Sequence, residues 1–256
     1  MSTSSQFERN PAALSAGLTG LFPAGVAVAE LRDPGDPGLL SAAERYHVRQ
    51  AVRKRVQEFA AGRLCARRAL AEFRVENFDL HVAVDRQPLW PDGMLGSITH
   101  TAGLCAAVVA PRRTLAAVGM DSEIVGHVTA DIWPAICGPQ EADWLRSLPA
   151  SERAAAVTLI FSAKEAFYKC QYPVTGEWLD FHDLVVEPAA WGRNPGELSI
   201  RATRPIAFAA HARMPMPGRY RYHEEFVSVG VALPRGCTLP AGAPGAASTP
   251  CRRETP

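Results

Sequence analysis

The sequence predicts an α+β fold made of two similar halves, because a long helix followed by a few strands occurs twice along the chain. The first helical segment spans residues 41–73 and the second spans residues 151–170, and both place apolar residues at three- and four-residue steps. Short apolar runs bounded by turn residues follow each of them. Helices and strands that come in separate blocks are typical of α+β proteins.

Composition and charge limit the classes of protein to consider. With 256 residues, the chain is long enough for one large domain or two modest ones. Hydrophobic residues make up 47% and charged residues 21%, an ordinary balance for a globular protein. The net charge of +1 gives no bulk attraction to nucleic acid or to a membrane, so we expect neither as a partner.

Cysteine usage and targeting features favour the cytoplasm. None of the six cysteines forms a CxxC pair and several lie in apolar runs, so we expect neither a metal nor a disulfide framework. The first residues lack a charged lead followed by an apolar stretch, and no run approaches the roughly 20 apolar residues that span a membrane. We therefore expect a cytoplasmic protein.

The first half begins with the clearest helical pattern. Ser41 and Glu44 have the S-x-x-E spacing of a capping box, and an apolar stripe continues from there to Phe73. Gly62 either divides this segment into two helices or marks a point of close packing. Farther along, the apolar runs on both sides of the turn at 111–114 predict a β-hairpin.

The second half contains helices followed by strands. Residues 137–150 are helical at their centre, and Ser151 is the predicted N-cap of a helix that reaches Cys170. Four strand-like segments follow, at residues 181–189, 196–204, 205–214 and 219–233.

Composition also suggests how the chain divides. The last residues are rich in Pro, Gly, Ala and Thr and have little to bury, which predicts a disordered tail. The predicted parts are a loose N-terminus (1–20), an N-terminal half (21–118), a C-terminal half (119–233) and the tail (234–256).

Two acids lie close together at the end of a predicted strand. Asp121 and Glu123 are two residues apart, so their carboxylates point to the same face. Neighbouring carboxylates raise each other's pKa unless a positive charge neutralises them. Mg²⁺ is typically held by one or two carboxylates together with substrate phosphates and water. The alternative is a solvated turn that contains two acids.

A third acid and a lysine lie on the second long helix. Glu165 and Lys169 are one turn apart on a helix that is apolar on nearly all sides, so we expect both to be largely buried and to need partners. A metal shared with Asp121 and Glu123 would satisfy Glu165, and a phosphate would satisfy Lys169. The alternative is an exposed ion pair worth a few tenths of a kcal/mol.

Two further groups are suited to binding an anion. Arg55 and Arg63 lie along one strip of the first long helix, and arginine favours bidentate contacts with phosphate. Thr99 and His100 supply a hydroxyl and an imidazole where a strand begins. The alternatives are a basic solvent-exposed face and a structural histidine.

Four motifs together resemble the 4'-phosphopantetheinyl transferases, specifically the larger pseudodimeric type of the enterobactin synthetase component and the surfactin-synthetase-activating enzymes. They have the family's order and spacing and read KRVQEFAAGRLCARRAL, PLWPDGMLGSITHTAG, VGMDSE and FSAKEAFYK. The resemblance covers about residues 26–233. It implies two α+β halves related by pseudo-twofold symmetry, with coenzyme A in the cleft between them.

The resemblance also implies a reaction. Enzymes of this type move 4'-phosphopantetheine from coenzyme A to a serine of an apo acyl or peptidyl carrier protein, with Mg²⁺ or Mn²⁺, and release 3',5'-ADP. They activate fatty acid, polyketide, nonribosomal peptide or siderophore synthases. Because both halves belong to one chain, we expect a monomer.

Roles for single residues follow from the same resemblance. The metal ligands would be Asp121, Glu123 and Glu165. Phosphate contacts would come from Thr99, His100 and Lys169. The 3'-phosphate end of coenzyme A would be held by Arg55 and Arg63. Glu165 would be the base for the carrier serine, either directly or through a metal-bound water.

The chain departs from the family pattern at three positions. Relatives often carry Gly-Lys-Pro before the WP loop, whereas this chain has Arg86, Gln87 and Pro88, so Arg86 is the basic residue assigned to coenzyme A there. Phe161 replaces a frequent Trp and is expected to change packing, not chemistry. Ser122 is the middle residue of the D-x-E motif, where an apolar or acidic residue is commoner.

Two other functions would use some of the same residues. A different Mg²⁺-dependent enzyme acting on nucleotides, such as a hydrolase, would use the three acids but would not account for the basic helix. A binding module would use the basic helix to hold an acidic partner or nucleic acid. Its binding would be independent of Asp121 and Glu123 and would fall steeply with salt.

Overall fold

The computed structural model describes residues 16–236, whose strands form two antiparallel sheets. The strands are β1 (Ala27–Leu31), β2 (Met94–Thr101), β3 (Leu104–Pro111), β4 (Leu115–Ile124), β5 (Leu184–Pro188), β6 (Gly196–Ala202), β7 (Met216–His223) and β8 (Phe226–Pro234). The α-helices are α1 (Ala16–Thr19), α2 (Ala42–His47), α3 (Arg53–Ala71), α4 (Trp133–Ile136), α5 (Pro139–Ser147) and α6 (Ala150–Thr175). The strand orders are β1-β3-β2 and β4-β8-β7-β6-β5.

The two halves share a core topology, although the first sheet has three strands and the second has five. In each half, a first strand leads into a short helix and then a long helix, and the last strand returns to pair antiparallel with the first, β3 with β1 and β8 with β4. The long helices α3 and α6 pack against these paired strands. The predicted α+β fold class is confirmed.

The halves also repeat one ion pair, each built on a buried glutamate. Glu44 of α2 accepts from the Ser41 N–H (3.1 Å) and from Arg67 of α3 (2.8 Å). In the second half, Glu141 of α5 accepts from the Gly138 N–H (2.9 Å) and from Lys164 of α6 (2.6 Å). Acid and base are 23 residues apart in both pairs.

Each glutamate also accepts from the backbone of the segment that follows its long helix. The donors are Leu80 (3.2 Å) to Glu44 and Val186 (2.8 Å) to Glu141. The same arrangement of short helix, long helix and following segment therefore occurs twice, each time around a buried carboxylate.

The two sheets meet along their edge strands β2 and β4. The backbone N–H of Met120 donates to Ser97 Oγ (3.2 Å), and that of Ser122 donates to Thr99 Oγ1 (3.0 Å). On its other side, β4 lies directly on α6, because a β-carbon at Gly119 would collide with the Ala166 carbonyl oxygen. The glycine of the VGMDSE motif thus brings the end of β4 close to α6.

The helices differ from the prediction at two points. The capping box of Ser41 and Glu44 is confirmed. The helical segment breaks at residues 48–52, however, and Gly62 lies inside α3, packed closely against Ile98. The prediction of Ser151 as an N-cap is wrong, because α6 begins at Ala150 and the extended backbone of Pro149 precedes it.

Two strand predictions are also wrong. The hairpin predicted across residues 111–114 does not form, because β3 turns back on β2 at residues 102–103 and β4 pairs with β8. The segment 205–214 contains the 3-10 helix Ala207–Ala210 where a strand was expected. The other three predicted segments contain β5, β6 and the β7–β8 hairpin.

The predicted division of the chain can be compared only in part. The predictions for residues 1–15 and 237–256 lie outside the described residues. Residues 16–20 do not fit a loose N-terminus, because most of them form α1 and Leu18 is buried. Pro234 still belongs to β8, and the predicted boundary after residue 118 falls inside β4. No helix within residues 16–236 is both long and apolar enough to cross a membrane.

Candidate active site

Asp121 lies on β4 where the strand packs against α6, and its carboxylate contacts both α6 and β2. Its Oδ1 accepts from Lys169 Nζ (2.6 Å) and from the Thr99 hydroxyl (3.1 Å). Its Oδ2 is buried and has no hydrogen-bond partner, a state that only Ser162 Oγ shares among the buried side-chain atoms of the described residues. A buried carboxylate oxygen without a partner is a strong acceptor for a donor or a cation.

Lys169 supplies the positive charge beside this carboxylate. Burial lowers the pKa of Lys169, but the adjacent Asp121 outweighs that effect, and Glu165 and Glu123 add to it, so the pKa lies above its ordinary value. Lys169 therefore stays protonated. Its ion pair is with Asp121 across the site, and not with Glu165 one turn away on α6.

Glu123 and Glu165 extend the negative charge around Asp121. Burial raises the pKa of Glu123 to about 7, an effect that Asp121 and Glu165 increase and that Lys169 opposes. Burial likewise raises the pKa of Glu165, which Lys169 lowers and Asp121 raises. Both glutamates accept a proton more readily than ordinary glutamates, which is a property expected of catalytic bases.

Thr99 contacts Asp121 and the backbone of β4, whereas the prediction gave it a contact with phosphate. It is buried, its hydroxyl donates to Asp121 Oδ1 (3.1 Å), and the same oxygen accepts from the Ser122 N–H (3.0 Å). Thr99 therefore holds Asp121 and the backbone of β4, and its hydroxyl is already engaged.

His100 and Arg55 form a small charged cluster with Glu58, which the sequence analysis missed. An Arg55 guanidinium nitrogen lies 2.9 Å from His100 Nε2, and a Glu58 carboxylate oxygen lies 3.3 Å from the same imidazole nitrogen. Burial lowers the pKa of His100, Glu58 opposes this, and Arg55 and Lys169 add to the lowering. The position of Glu58 one turn after Arg55 is a signal that could have suggested the cluster.

Arg63 is buried, unlike Arg55. Its Nε donates to the Leu80 carbonyl oxygen (3.2 Å), and its guanidinium carbon lies 3.8 Å from the centroid of the Phe59 ring. Burial lowers the pKa of Arg63 to about 10. Arg55 and Arg63 thus share a strip of α3, as predicted, but Arg55 is half exposed in its cluster with His100 and Glu58, whereas Arg63 is buried and fixed by packing.

A cleft of about 590 Å³ brings the basic residues together. Its lining includes all the predicted basic contacts, which are Arg55, Arg63, Arg86, His100 and Lys169. It also includes aromatic residues that the sequence analysis did not assign: Tyr168 stacks on Tyr172 with ring centroids 5.1 Å apart, and the largely exposed Trp178 meets Tyr168 edge-on at 5.5 Å. A cleft with a basic strip and an aromatic wall suits a ligand that carries phosphates and an extended organic part.

The carboxylates match a hard divalent cation in their chemistry. Mg²⁺ prefers oxygen ligands, and Asp121 Oδ2 is a buried oxygen with no hydrogen-bond partner among residues 16–236. Among residues 16–236, however, no group of three or more His, Cys, Asp and Glu side chains is arranged to hold a metal ion. The chemistry of these oxygen donors therefore fits Mg²⁺, although their arrangement does not form a metal site. In this structure the ammonium of Lys169 lies beside Asp121.

Comparison with known proteins gives the family. Residues 43–110 match the family model of the 4'-phosphopantetheinyl transferase N-terminal domain, and residues 117–220 match that of the 4'-phosphopantetheinyl transferase superfamily. The 4'-phosphopantetheinyl transferase Svp of Streptomyces mobaraensis is 36% identical over 210 residues, which cover 79% of this chain and 83% of that protein. This chain belongs to the 4'-phosphopantetheinyl transferase superfamily.

Other members of the superfamily are similar over shorter stretches. The 4'-phosphopantetheinyl transferase PptT of Mycobacterium tuberculosis is 40% identical over 161 residues, which cover 62% of this chain and 69% of that protein. Enterobactin synthase component D of Salmonella typhi is 41% identical over 126 residues, covering 48% and 50%. The predicted family, in its larger pseudodimeric type, is confirmed.

Proposed function

We propose that this chain transfers 4'-phosphopantetheine from coenzyme A to a serine of an apo carrier protein and uses the residues around Asp121 to do so. The observation that carries the proposal is the buried Asp121 carboxylate, held by Lys169 and Thr99 and left with one partnerless oxygen, next to a cleft lined by basic residues. Superfamily membership supports the reaction. The geometry supports the assignment of the residues.

Coenzyme A is the donor that the charges of the cleft favour. It carries a pyrophosphate and a 3'-phosphate, and four of the cleft's basic groups, those of Arg55, Arg63, Arg86 and Lys169, come from three separate segments of the chain. Charge-assisted contacts of this kind are the strong ones in phosphate recognition. Arg55 is half exposed and would exchange its contacts with His100 and Glu58 for a phosphate, whereas Arg63 presents a guanidinium that is already oriented.

The reaction requires charge neutralisation and a proton acceptor. The serine oxygen of the carrier protein forms a bond to the phosphorus that bears the pantetheine, and the bond from that phosphorus to the leaving 3',5'-ADP oxygen breaks. Lys169 contributes positive charge where negative charge accumulates on the phosphates. The raised pKa of Glu165 suits it to take the serine proton.

Mg²⁺ belongs to the proposal as the cation held by Asp121, Glu123 and Glu165, with Mn²⁺ as a substitute. Bound there, it would neutralise pyrophosphate charge and act as a Lewis acid. Lys169, whose ammonium is hydrogen-bonded to Asp121, adds positive charge at the same place. The carrier protein, the monomeric state and the cytoplasmic location stay predictions.

Incubation with coenzyme A, Mg²⁺ and a panel of apo carrier proteins tests this function. We expect intact-mass measurement to show the addition of one phosphopantetheine group to a carrier, with stoichiometric 3',5'-ADP. A carrier whose acceptor serine is replaced by alanine is the control. Release of 3',5'-ADP without any carrier would indicate a nucleotide hydrolase instead.

A further inference from the structure

A continuous chain of polar side chains lies on the face of β4 opposite the site carboxylates. Ser122 points to that face because side chains alternate along a strand. Its Oγ lies 2.7 Å from Ser228 Oγ, and Ser228 Oγ lies 2.8 Å from His223 Nε2. His223 Nδ1 in turn lies 3.4 Å from an Arg32 guanidinium nitrogen. Both serines are fully buried.

The far end of this chain belongs to the other half of the molecule. Arg32 directly follows β1, whereas His223 and Ser228 come from the β7–β8 hairpin. Arg32 is held by Glu224 (2.7 Å) and by Glu30 (3.6 Å). Its guanidinium carbon also lies 5.1 Å from the centroid of the Phe226 ring. The polar chain therefore connects β4 to a fixed arginine of the first half.

The donors and acceptors of this chain have one consistent direction. An arginine side chain can only donate, so Nδ1 of His223 must accept, and Nε2 must carry the proton. Nε2–H then donates to Ser228, whose hydroxyl donates to Ser122. Burial, and then the charge of Arg32, lower the pKa of His223, which favours the neutral imidazole that this direction requires.

The positions of Ser122 and Ser228 in the β4–β8 pairing indicate that these buried hydroxyls have a specific role. Ser122 lies directly opposite Ser228, while the neighbouring pairs on this face, Met120 with Gly230 and Ile124 with Phe226, have no polar side chain. Two buried hydroxyls cost free energy unless both are satisfied. Here the two hydroxyls bond to each other, and His223 supplies the further partner of Ser228.

Ser122 is also, with Met120, one of the two residues whose N–H groups bond β4 to side chains of β2. Its N–H donates to Thr99 Oγ1 (3.0 Å), and the Thr99 hydroxyl donates to Asp121 (3.1 Å). A shift of β4 at Ser122 would therefore move Asp121 and Glu123, which flank it, and loosen the tie to the first half.

We propose that Arg32, His223 and Ser228 are positioning residues that hold the catalytic strand through Ser122 from the side opposite its carboxylates. They touch neither coenzyme A nor the reacting atoms. The proposal rests on the proposed function, because it concerns the placement of Asp121 and Glu123 for that reaction. It also makes a physical claim about β4 that can be measured without turnover.

The test compares His223→Leu, which removes the donor and acceptor, with His223→Gln, whose amide can accept from Arg32 and donate to Ser228. Removal of an outer-shell partner typically costs about 10-fold to 100-fold in activity. We expect His223→Leu to lower kcat to that extent and to leave the coenzyme A dissociation constant unchanged. His223→Gln should recover most of the loss. His211→Leu, at an exposed histidine, is the matched control.

A second pair of variants tests whether the residues act as one chain. Ser228→Ala removes a single oxygen and should give a loss in kcat similar to that of His223→Leu. The double variant should lose no more than either single variant, because a broken chain cannot be broken again. If His223→Leu does not fold, Ser228→Ala still tests the proposal.

Amide hydrogen exchange supplies the readout that does not depend on turnover. The N–H groups of Met120 and Ser122 bond to Ser97 and Thr99, and we expect both to exchange faster in His223→Leu and Ser228→Ala than in the wild type. Unchanged exchange together with unchanged kcat would overturn the proposal, as would equal losses in His223→Leu and His223→Gln. A wild-type protein that transfers nothing would refute the proposed function alone, and the exchange rates would still decide on positioning.

Discussion

Nζ of Lys169 lies 2.6 Å from Oδ1 of Asp121, and this ion pair joins α6 to β4 at the centre of the site. The sequence placed Lys169 beside Glu165 on one helix face, but the structure directs its ammonium to the acid on the neighbouring strand. The Lys169 side chain is 29% exposed, so one side of the ammonium remains open to the cleft. The pair can therefore stabilise the fold and still present positive charge to a phosphate.

Asp121→Ala and Asp121→Asn should both abolish transfer but should differ in stability. Alanine removes the acceptor of Lys169 and Thr99, and leaving buried donors without an acceptor costs about 1–3 kcal/mol. Asparagine keeps one acceptor oxygen and should cost less. The adjacent acids of the sequence alone would predict no loss of stability for Asp121→Ala, because removing one carboxylate relieves the repulsion between Asp121 and Glu123. Thermal unfolding without divalent cations and a transfer assay with Mg²⁺ check both points, and near wild-type transfer by Asp121→Ala would refute the site.

Arg55 and Arg63 should respond differently to substitution although they lie on the same helix strip. Arg55 is half exposed, so Arg55→Ala should weaken coenzyme A binding without changing the melting temperature. Arg63 is buried, bonded to the Leu80 carbonyl and stacked on Phe59, so Arg63→Ala should weaken binding and also destabilise the fold. A lost charge-assisted contact costs about 1.5–3 kcal/mol.

Dephospho-coenzyme A, which lacks the 3'-phosphate, distinguishes loss of the 3'-phosphate contact from a general effect on binding in the cleft. If these arginines hold the 3'-phosphate, the wild-type enzyme should prefer coenzyme A, and Arg55→Ala should lose most of that preference. Titration calorimetry with both ligands measures it. Equal affinity of the wild type for the two ligands would remove both arginines from the 3'-phosphate contact.

The sequence predicted the elements of the site better than the contacts between them. Asp121, Glu165 and Lys169 could be found because carboxylates and a lysine in apolar segments need partners, whatever the fold. The capping box of Ser41 and Glu44 could be found because it is a local interaction within four residues. Both signals depend on residues that are close in sequence.

Contacts between segments that are far apart in sequence cannot be predicted from such local signals. The apolar runs beside the turn at 111–114 are compatible with a hairpin, but β4 finds its partner in β8, over a hundred residues later. For the same reason, the sequence does not indicate the hydrogen bond of Thr99 with Asp121, because the two residues become adjacent only when β2 meets β4. The ion pair of Lys164 is likewise not evident from the sequence, because its partner Glu141 belongs to another helix.

Glu123 should make the stability of the metal-free protein depend on pH. Its pKa is raised from 4.5 to about 7, so between these values the folded state binds more protons than the unfolded state. The free energy of unfolding should therefore fall as pH rises through this window, by on the order of 1–3 kcal/mol from this group.

Glu123→Gln provides the measurement, because the amide cannot ionise. With a chelator present, the variant should melt at a higher temperature than the wild type at pH 8, and the two should melt at similar temperatures at pH 4. A constant difference between the two proteins at both pH values would contradict the assignment. Transfer should be impaired in the variant at every pH if Glu123 also binds the cation.

The repeated ion pairs give the last prediction, because the two halves contain matched versions of one interaction. All three protons of the Lys164 ammonium are used, by Glu141 (2.6 Å) and by the carbonyl oxygens of Ile136 and Phe181 (2.8 Å each). Both charged side chains are 1% exposed. In the first half, the Arg67 side chain is 24% exposed, so water can approach its pair with Glu44.

Lys164→Met should therefore destabilise the protein by about 3–5 kcal/mol, since it leaves the Glu141 charge buried without its counter-ion. Arg67→Met should cost less, because water can take the place of the guanidinium. Adding Glu141→Gln to Lys164→Met should recover part of the loss, since the amide is neutral and its single oxygen can still accept from one of the N–H groups of Gly138 and Val186, which bond to different oxygens of Glu141. Urea unfolding of the four proteins measures these differences. Similar losses for Lys164→Met and Arg67→Met would mean that burial does not separate the two pairs, and no recovery in the double variant would mean that Lys164 acts through its carbonyl contacts.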